Sequence, residues 1–153
     1  MVAAAAIGEP ADPAEVDRLT AALYQAEEQQ WALARTEHRS GTIHDTLRNA
    51  GVAQTEAALD AWYREMEPYT FADPDAYDLL TELRRRGIKV GILSNTGFPR
   101  AWHERIFARD RLLELIDVLF YISRSPWVNP HREAFVAAMT AVGASDPAAV
   151  VFV

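Results

Sequence analysis

The chain has 153 residues, half of them apolar and 24% charged, with a formal charge of −7. That is the balance of a soluble globular domain, with or without a subdomain, and its acidity argues against nucleic acid, whose phosphates demand a basic face. There is no cysteine, which excludes a disulfide frame, a thiolate metal site and a thiol nucleophile and fits a reducing cytoplasm; no apolar run approaches the roughly 20 residues of a membrane helix.

The Ala-rich residues 1–11 lack a basic leader and read as a flexible start. After Asp12-Pro13, the spacing of Val16, Leu19, Leu23, Ala26 and Gln30/Trp31 predicts a helix that Ser40-Gly41 interrupts. Thr42 caps a short helix with Ile43 and Leu47 inside, stopping at Gly51. Thr55 caps another, with Leu59, Trp62, Tyr63 and Met66 on one side and Pro68 beyond. Residues 12–70 therefore predict a helical bundle.

The pattern changes at 71–153. Asp73-Pro74 starts a helix that Arg84-Arg85-Arg86-Gly87 closes with dipole-matched cations and a glycine. Ile88 to Leu93 is a β-branched, non-alternating run, as expected of a parallel strand covered on both faces. A helical stretch from about Pro99 to Leu115, broken near Asp110, leads to a second strand at Val118 to Ile122. Pro130 opens a helix ending at Gly143, and Val150 to Val153 begins a third strand. Alternating helix and strand predicts a doubly wound parallel sheet, whose ligands sit beyond the carboxyl ends of its strands. Ser94 and Ser123 stand at those ends.

In this order, the blocks DAYDLLTELRRRG, IKVGILSNTG, LLELIDVLFYIS, NPHREAF and DPAAVVFV resemble the haloacid dehalogenase (HAD) superfamily, in its helical-cap form, over about half the chain. The resemblance implies an α/β fold: a partial Rossmannoid parallel sheet with helices on both faces (family strands 2 to 4, residues 71–153) and an all-helical cap (12–70). It also implies a hydrolase. An Asp nucleophile attacks phosphorus or a halide-bearing carbon, a second Asp serves as acid/base in the phosphatases, and a hydroxyl after the second strand donates to the transferring group. A lysine offsets charge, and acidic residues after the fourth strand hold Mg²⁺.

Carried onto this chain, the resemblance makes Ser94 the hydroxyl and puts Asn129, of Val128-Asn129-Pro130, in the lysine's place. Asn95, Thr96, Arg124 and Trp127 become the substrate-facing set. The only lysine, Lys89, lies beside the strand, and Arg124 and Arg132 flank the loop. No apolar strand followed by Asp-x-Asp precedes the cap; Asp73-Pro74-Asp75 has the letters but starts a helix. No acidic residue follows Val153. The Mg²⁺ implied by the family thus lacks its ligands, and the pattern reads as shortened at both ends.

Other constellations are weaker. His38, His44, His103 and His131 lack metal spacing and suit surface or turn roles. Glu37, His38 and Asp45 around Ser40-Gly41 are candidates for part of a pocket, with a solvated helix end as the default. Trp31, Trp62, Trp102 and Trp127 read as packing residues, Trp127 being nearest a crevice mouth. The expectation is a cytoplasmic phosphatase-type hydrolase of a small phosphorylated metabolite, inactive as this chain. The alternatives are a 2-haloacid dehalogenase, suggested by Ser94-Asn95 and Pro130-His131, and a non-catalytic interaction module that oligomerises or accepts a complementing fragment at unpaired strand edges.

Overall fold

A computed structural model describes residues 3–4 and 12–153, apart from the side chain of Arg124. The chain divides into two compact units, one of residues 1–37 and 41–71, the other of residues 38–40 and 72–153. No described helix is long and apolar enough to cross a membrane.

The first unit is helical. Helix α1 (Pro13–Glu37) buries Leu19, Leu23 and Ala26. Its apolar stripe ends at the part-buried Gln30, and Trp31, expected in the core, is exposed. Gln30 is a polar knot instead: Nε2 donates to Thr42 O at 3.1 Å, and Oε1 accepts from Thr46 Oγ1 at 2.9 Å. A Cβ at residue 41 would lie 2.6 Å from Gln30 Nε2, so any side chain there would have to displace the Gln30 amide. Helix α2 (Ile43–Asn49) opens on a capping box in which Thr42 accepts from the Asp45 N–H and Asp45 accepts from the Thr42 N–H. Thr55 caps α3 (Glu56–Met66), whose buried positions are Ala58 and Ala61. Leu59 and Trp62 pack against a core of Ala3, Leu19, Leu23, Ala26, Ile43, Leu47, Ala50 and Val52, while Met66 is exposed. Ala3, in the stretch expected to be a flexible start, is therefore buried; residues 1–2 and 5–11 lie outside the described residues.

In the second unit Asp73 and Pro74 form a turn, closed by the Asp75 N–H on Asp73 Oδ1 at 2.9 Å, and α4 (Ala76–Arg85) starts only after it. Gly87 follows the helix with φ +71°, a left-handed conformation that glycine adopts without a Cβ clash. Strand β1 (Gly91–Ser94) pairs in parallel with β2 (Val118–Tyr121), Gly91 opposite Val118 and Ser94 opposite Tyr121. Helix α5 (Arg100–Arg109) lies between them, and α6 (Arg132–Val142) follows β2, capped by His131 and closed by Gly143 at φ +83°.

The register fixes which helix covers which face. Tyr121, on the same face as its partner Ser94, stacks its ring on His103 of α5, centroids 4.8 Å apart. Gly91, three residues before Ser94, faces the other way, and a Cβ built there meets Val142 of α6 at 3.7 Å. The two helices therefore cover opposite faces, as a doubly wound sheet requires. Because β-α-β crossovers are right-handed, α5 carries the chain outward from β1 to β2 and α6 carries it back toward the free edge of β1.

The third strand is not formed. Val150 has extended dihedrals, but residues 150–153 join no ladder, and Val151, Phe152 and Val153 are exposed. A strand exists through its partner, and no described strand lies beside this segment; its contact is the edge of the Phe152 ring on Phe135 of α6, at 4.9 Å.

Candidate functional site

Doubly wound sheets bind ligands at the carboxyl ends of the strands where the winding direction reverses. Here that is the carboxyl end of β1. Ser94 is its last residue, half-buried, and its hydroxyl has no hydrogen-bond partner among the described residues. A hydroxyl left unpaired at that point can donate to an anionic oxygen or a leaving group.

The next residue is engaged within the protein. Asn95 Nδ2 donates to Asn129 O at 2.7 Å, and the Asn129 N–H donates to Asn95 Oδ1 at 2.9 Å. One carboxamide thus satisfies both backbone groups of Asn129, at the cis Asn129–Pro130 bond. Asn95, expected to face substrate, forms a clamp across the mouth, and that clamp sets where Asn129 stands.

Thr96 is likewise committed. It is buried, its Oγ1 accepts from the Phe98 N–H at 3.1 Å, and it contacts His103 Nε2 at 2.8 Å. With Oγ1 accepting from Phe98, its own proton is free to serve Nε2, which suits a neutral imidazole. Burial holds the His103 pKa down to about 4, and pushes the Tyr121 phenol up to about 12, with the Glu104 charge adding to the rise and Arg100 opposing it. The surface role expected of His103 is therefore wrong: it is wedged between Thr96 and the Tyr121 ring. No spacing rule reveals this, because the strand register supplies the contact.

The loop after β2 is pinned from the other side by residues 38–40. The Val128 N–H donates to His38 O at 2.9 Å, the Ser40 N–H donates to Pro126 O at 3.2 Å, and Ser40 Oγ donates to Ser125 O. Arg39 and Trp127 form an antiparallel bridge. Trp127, expected to face substrate, stacks on His131 at 4.1 Å and 6°; His131 Nδ1 in turn accepts from the Glu133 N–H at 3.2 Å. The side chain of Arg124 is outside the described residues.

Three of the remaining charged candidates are spent on structure. Asp45, whose carboxyl is held below the usual range chiefly by the Thr42 hydroxyl, belongs to the capping box. Lys89 reaches the last carbonyls of α6, at 3.5 Å from Val142 O, and Arg132 pairs with Glu133. No three His, Asp or Glu residues gather among the described residues. The donors around Ser94 are a hydroxyl and committed amides; Mg²⁺ needs carboxylates, so this set does not fit it.

Comparison with known proteins agrees with this architecture. No curated protein matches the chain. An L-2-haloacid dehalogenase from Xanthobacter autotrophicus superposes with a TM-score of 0.54 at 21% identity, covering 94% of this chain and 59% of that one. The same enzyme with chloropropionic acid covalently bound gives a TM-score of 0.54 at 19% identity, over 87% and 56% of the two chains. A further dehalogenase gives 0.55 at 20%, over 86% and 61%. The chain thus spans about three fifths of the length of these structures, and at such identities they speak to the fold. The family model for haloacid dehalogenase-like hydrolases matches residues 2–153, so the chain belongs to the haloacid dehalogenase-like hydrolase family.

Proposed function

We propose that this chain is the substrate-anchoring part of a phosphatase-type hydrolase of a small phosphorylated metabolite. In this reading Ser94 donates to the transferring phosphoryl group, Asn129 lies beside it, and the attacking carboxylate arrives on a strand that adds to the free edge of β1. The observation that supports it is the placement of α5 and α6 on opposite faces, which opens the crevice beside the unpaired Ser94 hydroxyl. Two-stranded sheets are marginal alone, and α4 buries none of its residues, so an added strand has both a ladder and an apolar face to join. The absence of cysteine suits a cytoplasmic setting.

The isolated polypeptide is expected to release no phosphate from an aryl phosphate with Mg²⁺ above background. Release that disappears with Ser94→Ala would show that the chain carries its own nucleophile and would overturn this reading.

A second reading is hydrolysis of a short 2-haloacid. It is favoured by the uncharged donors at the mouth, since a monoanionic acid needs less positive charge than a phosphoryl dianion, and by the dehalogenase neighbour holding covalently bound chloropropionic acid. Chloride release from a short 2-chloro acid, without phosphate release, distinguishes it.

A further inference from the structure

Residues 38–40 join α1 to α2 in the chain, yet they belong to the second unit. They lie along the loop after β2 as a short antiparallel strap. The Val128 N–H donates to His38 O at 2.9 Å and the Ser40 N–H donates to Pro126 O at 3.2 Å, on either side of the Arg39–Trp127 bridge. Ser40 Oγ adds a bond to Ser125 O. All three bonds involve residues 125–128, immediately before Asn129. Asn129 itself is held by the Asn95 clamp, so the loop has two separate anchors.

The strap is held at a cost. His38 has φ +52°, in the left-handed region where a Cβ crowds the backbone. Its Nδ1 is buried and has no hydrogen-bond partner among the described residues. Backbone strain of this kind persists where neighbouring contacts over-determine it, and it gathers at switch points. Here the contacts that hold the turn are the bonds to the loop. Breaking them lets φ relax and returns Nδ1 to water. Strain and unmet hydrogen bonding therefore favour release, while three hydrogen bonds and one bridge oppose it.

We infer that residues 38–40 are a releasable strap, with His38 as its strained hinge, that frees the loop beside the carboxyl end of β1 without unfolding the second unit. Docked, the strap fixes residues 125–128 from one side. Released, it lets them move while the Asn95 clamp still holds Asn129. Openings of this sort occur where few backbone bonds hold an exposed segment, and Arg39, at the centre of the strap, is exposed. The inference goes beyond the proposed hydrolase reading and does not depend on what Ser94 binds.

The test is amide hydrogen exchange of the full chain over a range of low urea concentrations, which separates local opening from global unfolding. The Val128 and Ser40 amides are expected to exchange through an opening that low urea leaves unchanged, while the Asn129 amide and those of α5 stay protected. His38→Gly and His38→Ala both delete the imidazole, but only glycine relieves the left-handed φ. Protection of Val128 and Ser40 should therefore be about fivefold greater in the glycine variant than in the alanine one. Ser40→Ala should lower their protection about fivefold, and Ser40→Thr, which keeps the hydroxyl, should restore it. Exchange of Val128 and Ser40 only together with α5 overturns the inference. So does equal protection in the two His38 variants, or loss of Asn129 protection in step with Val128.

Discussion

Asn95 and Asn129, 34 residues apart in the chain, are joined by two opposed hydrogen bonds of 2.7 and 2.9 Å. This pair ties the end of β1 to the loop entering α6. Asn95→Ala leaves a part-buried N–H and carbonyl without a partner, at a cost of about 1–3 kcal/mol in urea unfolding. Asn95→Asp keeps the acceptor but sets a carboxylate oxygen against the Asn129 carbonyl, and should fall at least as low. Parental stability in Asn95→Ala would show that the loop is held by other contacts.

Ser94 is expected to behave oppositely. Its hydroxyl is unpaired among the described residues, so Ser94→Ala should unfold within about 0.5 kcal/mol of the parent. A loss well above 1 kcal/mol would make the hydroxyl a structural element, not a ligand donor. The two neighbours thus separate positioning from binding by a stability measurement alone.

His103 should dominate the acid limb of the stability curve. Its folded pKa of about 4 lies below the unfolded value of about 6.5, so folding favours the neutral ring. The contribution is present above pH 6.5 and is lost as the pH falls toward 4. Partial exposure limits it to on the order of 2 kcal/mol. The lowered carboxyls of Asp45 and Asp110, shifted chiefly by hydrogen bonds from Thr42 and Arg109, lose their contributions only below the ordinary carboxylate range. Urea midpoints measured from pH 7 to 4 should therefore fall steadily, and His103→Gln, which cannot titrate, should flatten that fall.

The capping box at α2 gives a non-additive pair. Thr42→Ala and Asp45→Ala each remove part of one reciprocal unit, and each should cost about 1 kcal/mol. The double variant should cost clearly less than the sum, because either change already opens the box. Additive losses in thermal or urea unfolding would mean that the two residues act separately.

The sequence by itself determined the features whose causes lie within a few residues of one another. Thr42 and Thr55 announce helix starts, Gly87 and Gly143 mark helix ends at positive φ, and the alternation after residue 71 gives a parallel sheet with Ser94 at a strand's carboxyl end. Capping and periodicity act over one helical turn, so letters suffice. Tertiary structure decided the rest. It engaged Asn95 with Asn129 and Thr96 with His103, moved His103 from the surface into contact with Tyr121, and stacked Trp127 on His131. It also left Val150–Val153 outside any ladder and Trp31 exposed. Each of these depends on which segments lie side by side, and that is fixed by strand register and by which face each helix covers, neither of which any short window of sequence contains.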